Sequence, residues 1–326
     1  MRRRIDIPQA RELVLSRHQV LASGYSERQM RSDLDSGRLL RLHRGSYVSA
    51  QVWDELWWEG RHLIRVLAVH AASPGPGPVF THTSAAALWG LPLYRVGAAP
   101  VQVLVDGRRH SRVIANVIRR DMKVDPADIV EIDGIRVTSP TRTAMDIART
   151  YSFPTAVACA DAALRRAAVD GFTVDAEADA AWREDAARLA APGLRGVRQA
   201  RRALEFADGR ADLPGESVSR AHLHTLGFRG FDLQVPVTGS EGQQYWLDFA
   251  FPHARCFGEF DGAAKYTEPA LRAAPSAQQA VLDEKYREDD VRGVTGWRFA
   301  RWGHDHIRTA DVLGSRLAAF GVRPPG

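Results

Sequence analysis

The sequence predicts a multidomain chain of mixed α and β structure, α+β to α/β in class and built in three parts. Three observations lead there. The charge is uneven: residues 1–52 carry ten arginines, no lysine and five acids, so they hold the whole net charge of +5, and the remainder is balanced. Stretches rich in proline and glycine, "SPGPGP" at 73–78 and "ADGRADLPGES" at 207–217, interrupt the helical patterns. The last third alternates apolar strands with helices in the order αβββαβ. The parts expected are a head, 1–52, a mixed α/β middle, 53–208, and a C-terminal α/β unit, 209–326.

The head reads as helix, turn, short helix and hairpin. Leu13, Val14, Val20 and Leu21 give residues 8–22 a helical pattern, which Gly24-Tyr25 breaks. Ser26 and Gln29, three apart, form a capping box that restarts it, and Gly37 ends it. "LLRLHRGSYVSA" then supplies two short strands about His43-Arg44-Gly45. This is the order of a winged helix-turn-helix, whose second helix enters the major groove of double-stranded DNA while the hairpin touches the backbone. Arg28 and Arg31 share a face of that second helix, and Arg38, Arg41 and Arg44 decorate the hairpin. An all-arginine basic module on a neutral body fits a polyanion partner, although a solvated helix surface has the same composition.

The middle part begins with a long helix, "VWDELWWEGRHLIRVLAVHAA". Strands are expected near 101–105, 113–119 and 129–137. Ser139-Pro140 caps a further helix, and alanine-rich helices fill roughly 155–207. No nucleotide loop, nucleophile triad or metal cluster is evident here, so no small-molecule cofactor is expected. No apolar run approaches a bilayer span, and the arginines at the start precede no secretory core. Cys159 and Cys256 are far apart and lack metal-ligand spacing. A reducing cytoplasm is the expected compartment.

Chemistry concentrates in the last part, in "YWLDFAFPHARCFGEFDGAAKY", residues 245–266. With a turn centred on His253-Ala254, paired positions sum to 507, and Asp248 falls opposite Glu259 on one face of a hairpin. Two such carboxylates repel unless a positive charge lies between them. A divalent cation, Mg²⁺ or Mn²⁺, meets that need with one or two carboxylates and leaves positions for water and phosphate. A lysine nearby, Lys265 or Lys285, then orients the attacking water. On the next helix Glu284 and Glu288 lie on a core-facing stripe, either as an ion-pair network or as support for the site. Strand-end acids in surface ion pairs are the plainer alternative for Asp248, Glu259 and Asp261.

These residues resemble the PD-(D/E)XK nucleases, in the branch related to very-short-patch-repair endonucleases, down to the final strand "GWRFARW". The resemblance covers about residues 212–326 and implies a restriction-endonuclease-like fold. It matches Asp248 and Glu259 to the metal-binding acids and Glu216, on the preceding helix, to an additional ligand. Asp261 stands where that pattern has a lysine, so the resemblance leaves the amine to Lys265 or Lys285. Residues 10–165 resemble AbiEi-type antitoxins in "RHQVLASGYSERQMRSDLDSGRLLRLHRGSYV", "FTHTSAAALWGLP" and "VTSPTRTAMDIA". That likeness implies a DNA-binding, repressing head and a partner toxin. The leading expectation is a metal-dependent DNA endonuclease delivered by the head. The second is an antitoxin-like regulator whose nuclease fold is silent.

Overall fold

The computed structural model describes residues 3–105, 112–114, 116–262 and 277–325. The chain divides into two compact units, each a mixture of helices and small sheets. Met1–Cys159 with Arg183–Leu204 form one, and Ala160–Trp182 with Glu205–Gly326 form the other.

In the first unit, α1 (Ile7–Leu13) starts where the Asp6 carboxylate accepts the Gln9 N–H and the Gln9 side chain accepts the Asp6 N–H. Ser16 with Gln19 and Ser26 with Gln29 start α2 (Arg17–Ala22) and α3 (Glu27–Asp35) in the same way. The single helix expected over 8–22 is therefore two. Val14 is extended, and β1 (Leu15–Ser16) separates them, because Ser16 caps a new helix rather than continuing the old one. The expected hairpin forms from β2 (Leu39–His43) and β3 (Ser46–Ser49), with Gly45 at the positive φ its turn requires. β1 adds to its far side in the order β1-β3-β2. Val20, Met30, Leu39 and Tyr47 close a small core here.

Ile7, Ala10 and Val48 belong instead to a larger core. There they meet α5 (Trp58–Ala71), which follows α4 (Ala50–Asp54), and α6 (His82–Trp89). Behind them β4 (Val101–Val105), β5 (Arg112–Ile114) and β6 (Val117–Asp121) run in the order β4-β6-β5. β7 (Ile129–Ile132) and β8 (Ile135–Thr138) form a second hairpin, and Phe80 bridges Val103 and Val137. α7 (Pro140–Thr150) begins as expected, with Ser139 Oγ accepting the Arg142 N–H ahead of Pro140. Its Asp146 is fully buried and accepts from Arg142 Nε at 3.2 Å and Thr81 Oγ1 at 3.3 Å.

α8 (Phe153–Ala168), α9 (Ala176–Leu189) and α10 (Val197–Glu205) each run across the division between units, with β9 (Val169–Asp170) and β10 (Thr173–Val174) between the first two. The second unit then holds α11 (Pro214–Thr225), β11 (Asp232–Thr238), β12 (Gln244–Phe251), β13 (Cys256–Asp261), α12 (Ala277–Thr295) and β14 (Arg298–Gly303). Among the described residues this matches the expected αβββαβ order, and α13 (Ala310–Ala319) adds a helix beyond it. The sheet order is β11-β12-β13-β14. β13 and β14 are parallel, so the chain must cross over between them, and α12 lies in that crossover.

The two faces of this sheet are covered by different helices. On one, Leu247, Phe257 and Phe299 pack with Val291 of α12. On the other, α11 approaches so closely that a Cβ at Gly215 would lie 2.0 Å from the Phe260 ring. Ser219 Oγ accepts the Trp302 indole N–H there at 2.8 Å. The segment 160–182 contributes Asp161, fully buried, which accepts from Arg220 Nη1 at 2.6 Å. The close approach at Gly215 seats the residue beside it, Glu216. Gly215→Ala should therefore destabilise the protein by about 1–3 kcal/mol through overpacking, read as a lowered denaturation midpoint. An unchanged midpoint would show that α11 is free to stand off the sheet.

Candidate functional site

The β11–β12 ladder breaks at one place. Leu233 pairs with Phe249 and Val235 with Leu247, but Gln234 and Asp248 between them are not paired. Gln234 sits at φ +47°, a strained conformation for a residue with a side chain. The break also switches faces. Val235 and Leu247 pack in the α12 layer, while Phe249 packs against Phe231, Phe251 and Trp302. Residues two apart on a regular strand share a face, so the strand is turned over at Asp248.

The β12–β13 pairs Phe251–Cys256, Ala250–Phe257 and Phe249–Gly258 have the predicted register and end there. One step further Asp248 would face Glu259. Instead Asp248 Oδ2 accepts the backbone N–H of Phe260 at 2.8 Å, taking up a donor at the end of the ladder.

The acids fall into two neighbouring groups. In the first, Glu216 is buried and its Oε2 accepts from the Asp212 N–H at 2.9 Å and Gln234 Nε2 at 3.1 Å. Burial, and next the charge of Asp248, push its carboxyl up to about 8, against the bonds from Asp212 and Gln234. Glu216 and Asp248 are therefore close enough to oppose each other's ionisation. In the second, Glu259 is 1% exposed and its Oε1 lies 3.2 Å from Arg287 Nη2. Arg287 also holds Glu284, through Nε at 3.0 Å and Nη2 at 2.7 Å. Arg301, in parallel register with Glu259, contacts Asp261 at 3.3 Å and Glu288 at 3.2 Å, and also pairs with Glu284. Burial would raise the Glu284 carboxyl, but the bonds from Arg287 and Arg301 outweigh it and hold it down at about 2.

Of the two lysines expected to supply the amine, Lys265 lies outside the described residues, and Lys285 is exposed on α12. It stands about 200° round the helix from Arg287. Among the described residues, Arg287 and Arg301 meet Glu259, Asp261 and Glu284, and Arg292 joins Arg301 at Glu288; the sequence reading gives none of the three a role at the site. A signal for the first two is present nonetheless: Arg287 shares the stripe of Glu284 and Glu288, and Arg301 stands in "GWRFARW".

Among the described residues no three His, Cys, Asp or Glu side chains gather closely enough to hold a metal ion. The Glu216–Asp248 pair nevertheless has the donor chemistry of a hard cation such as Mg²⁺ or Mn²⁺, which takes one or two carboxylates and completes its sphere with water. Its mutual repulsion is what such an ion would relieve. Glu259 is engaged elsewhere, by Arg287.

In the head, Arg28, Arg31, Arg38, Arg41 and Arg44 are all exposed. Arg28 and Arg31 line a shallow depression of α3 with Ser32, Asp35 and Ser36. Arg38 pairs with Asp33, and the Arg41 guanidinium lies 5.8 Å from the Tyr47 ring centroid. No helix among the described residues is long and apolar enough to cross a membrane.

Residues 80–191 match the family described as the AbiEi antitoxin C-terminal domain. They run from Phe80 through the buried cluster at Asp146 to α9. The chain is also similar to two uncharacterized proteins of Mycobacterium tuberculosis, MT2308 of strain CDC 1551 / Oshkosh and Rv2248 of strain ATCC 25618 / H37Rv. Each is 29% identical over 295 residues, which span 89% of this chain and 100% of the relative.

The two groups of acids give stability opposite dependences on pH. Glu216 is raised from an ordinary 4.5 to about 8, so its contribution is full below about 4.5 and is lost as pH rises through 8. Glu284 is depressed to about 2, so its contribution is present above 4.5 and is lost as pH falls through 2. In denaturant midpoints measured from pH 3 to 9, Glu216→Gln should flatten the alkaline limb and Glu284→Gln the acid limb. Unchanged limbs would remove both assignments.

Proposed function

We propose that this chain is a DNA-binding regulator of the antitoxin kind, acting in the cytoplasm opposite a partner toxin. The similarity of residues 80–191 to the AbiEi antitoxin C-terminal domain carries that reading. The arginine-rich head supports it. The run α1-β1-α2-α3-β2-β3 is compatible with a winged helix-turn-helix, in which α3 would be the element that enters the major groove. Arg28 and Arg31 would contact DNA from α3, and Arg38, Arg41 and Arg44 would contact phosphates from the hairpin. Residues 53–208 would form the antitoxin-like body, and 209–326 a unit of restriction-endonuclease-like fold.

Electromobility titrations over a salt series test the head. Arg28→Ala/Arg31→Ala should weaken binding to all duplex sequences and lower the salt slope by about one for each phosphate no longer neutralised. Wild-type affinity and slope in that variant would deprive the head of its role.

A second reading, DNA phosphodiester hydrolysis, is favoured by the pairing of Glu216 with Asp248. Mg²⁺ or Mn²⁺ held by those two carboxylates would activate water and balance charge at the scissile phosphate. Gln234 orients Glu216, the Phe260 N–H orients Asp248, and Arg287 keeps the buried Glu259 neutralised. Asp261 stands at the family's lysine position in contact with Arg301, and the amine would come from Lys265 or Lys285. Nicking of supercoiled plasmid over a series of Mg²⁺ and Mn²⁺ concentrations decides the matter. Asp248→Asn should abolish cleavage and leave DNA binding by the head intact, and Asp261→Lys should preserve or raise it. If the wild type never exceeds the Asp248→Asn background, hydrolysis is ruled out and the regulator stands with a silent nuclease fold.

A further inference from the structure

Outside the head the charges balance overall, yet in the second unit they are segregated along the chain. Residues 249–258, 291–304 and 312–326 contain no Asp or Glu and include Arg255, Arg298 and Arg323. The fold gathers these three at one end of the sheet. We infer that this end is a second surface for the phosphate backbone of duplex DNA, separate from the head and from the acids.

Contacts between the three segments define it. Arg255 closes the turn between β12 and β13, and its carbonyl accepts the N–H of Arg298, the first residue of β14, at 3.0 Å. Arg298 Nη2 donates back to Ala254 O at 3.0 Å. The segment after α13 passes over that guanidinium, since a Cβ at Gly321 would lie 3.1 Å from Arg298 Nη1. It is tied down where His253 Nε2 donates to Arg323 O at 2.9 Å. All three arginines are exposed, and among the described residues none of them pairs with an acid. In the head, by contrast, Glu27 and Asp33 hold Arg17 and Arg38.

The backbone supplies an independent observation. Arg255 sits at φ +45° and ψ +54°, the left-handed region that glycine adopts freely and a longer side chain does not. Glycine would close this turn without strain, and strain of this kind marks positions where the side chain has work to do.

The chemistry fits phosphate. Guanidinium groups fork onto phosphate oxygens, and several of them without acids concentrate positive potential. A protein partner calls for an apolar centre with aromatic anchors. None of the large apolar side chains exposed among the described residues belongs to 249–258, 298 or 320–325. Arg298 starts β14 beside Cys256, whereas Asp261 lies at the far end of β13, about 17 Å on. Duplex DNA is the polyanion proposed for the head, and the choice of DNA here rests on that reading.

The test is fluorescence-anisotropy titration of the full-length chain onto a labelled duplex over a salt series, with circular dichroism confirming each variant's fold. Arg255→Gly/Arg323→Gln should weaken binding at low salt and lower the salt slope by about two, one for each phosphate released. Arg255→Gly alone should keep or raise the denaturation midpoint while lowering the slope by about one. Arg255→Lys should keep the wild-type slope. Arg28→Ala/Arg31→Ala should retain a residual affinity that adding Arg255→Gly/Arg323→Gln removes. Wild-type slope and affinity in Arg255→Gly/Arg323→Gln refute this surface, and the head's role then stands or falls on its own variant. A slope lowered as much by Arg255→Lys as by Arg255→Gly refutes it too, because the charge is then not what matters. Binding of poly-glutamate that needs Arg255 and Arg323, with DNA binding unchanged, overturns DNA in favour of an acidic protein.

Discussion

An ionised carboxylate inside a protein must find a positive partner or keep its proton, and the second unit is arranged around that requirement. Glu259 sits in the middle of a four-stranded sheet and meets it with Arg287. Glu216, buried in the first turn of α11, meets it by staying protonated well above the ordinary carboxyl range, with two donors on one oxygen. Asp161 is matched by Arg220, whose guanidinium also lies over the Phe206 ring, 4.5 Å from its centroid. In the first unit Asp146 uses Arg142 and a threonine hydroxyl. Pairing of this sort adds little net stability compared with a well-packed apolar core, but removing one partner is costly.

The break at Gln234 and Asp248 decides which acid meets which partner. Had the pleat continued, Asp248 and Glu259 would stand side by side on the α12 face, under Arg287 and Arg301. The left-handed turn at Gln234 interrupts it, and two results follow. Gln234 reaches Glu216 with its amide, and Asp248 turns to the Phe260 N–H. One strained residue thereby separates the acids into a group short of positive charge and a group rich in arginine. Strain of that size is retained only where the surroundings enforce it, and the bond from the Gln234 amide to Glu216 is one contact that holds the residue there.

Much of this is legible in the sequence where a local rule applies. The Ser26–Gln29 capping box, the Ser139-Pro140 helix start, the hairpin about Gly45 and the Phe249–Gly258 register all follow from residues within a few positions of one another. Other features depend on distant residues and leave no local trace. Nothing in "DLQVPV" marks Gln234 for a positive φ, since glutamine is an ordinary strand residue. The pairing of Arg287 with Glu259 requires knowing that α12 crosses over the sheet at that height. Ser16 reads as helix interior because its neighbours Val14 and Val20 are apolar, although its hydroxyl is worth more as a cap.

The ion pair between Asp161 and Arg220 has a consequence for synthesis. The two residues are 59 positions apart, and Arg183–Leu204, which lie between them, fold with the other unit. At a translation rate of about 5–20 residues per second, Asp161 leaves the ribosome roughly 3–12 s before its partner. During that interval the acid has no arginine to bury against, so the second half of α8 must wait in water while the first half can already join its own core. The interlaced order of the two units thus makes them mature together, each holding an unfinished edge until the other's segment has passed.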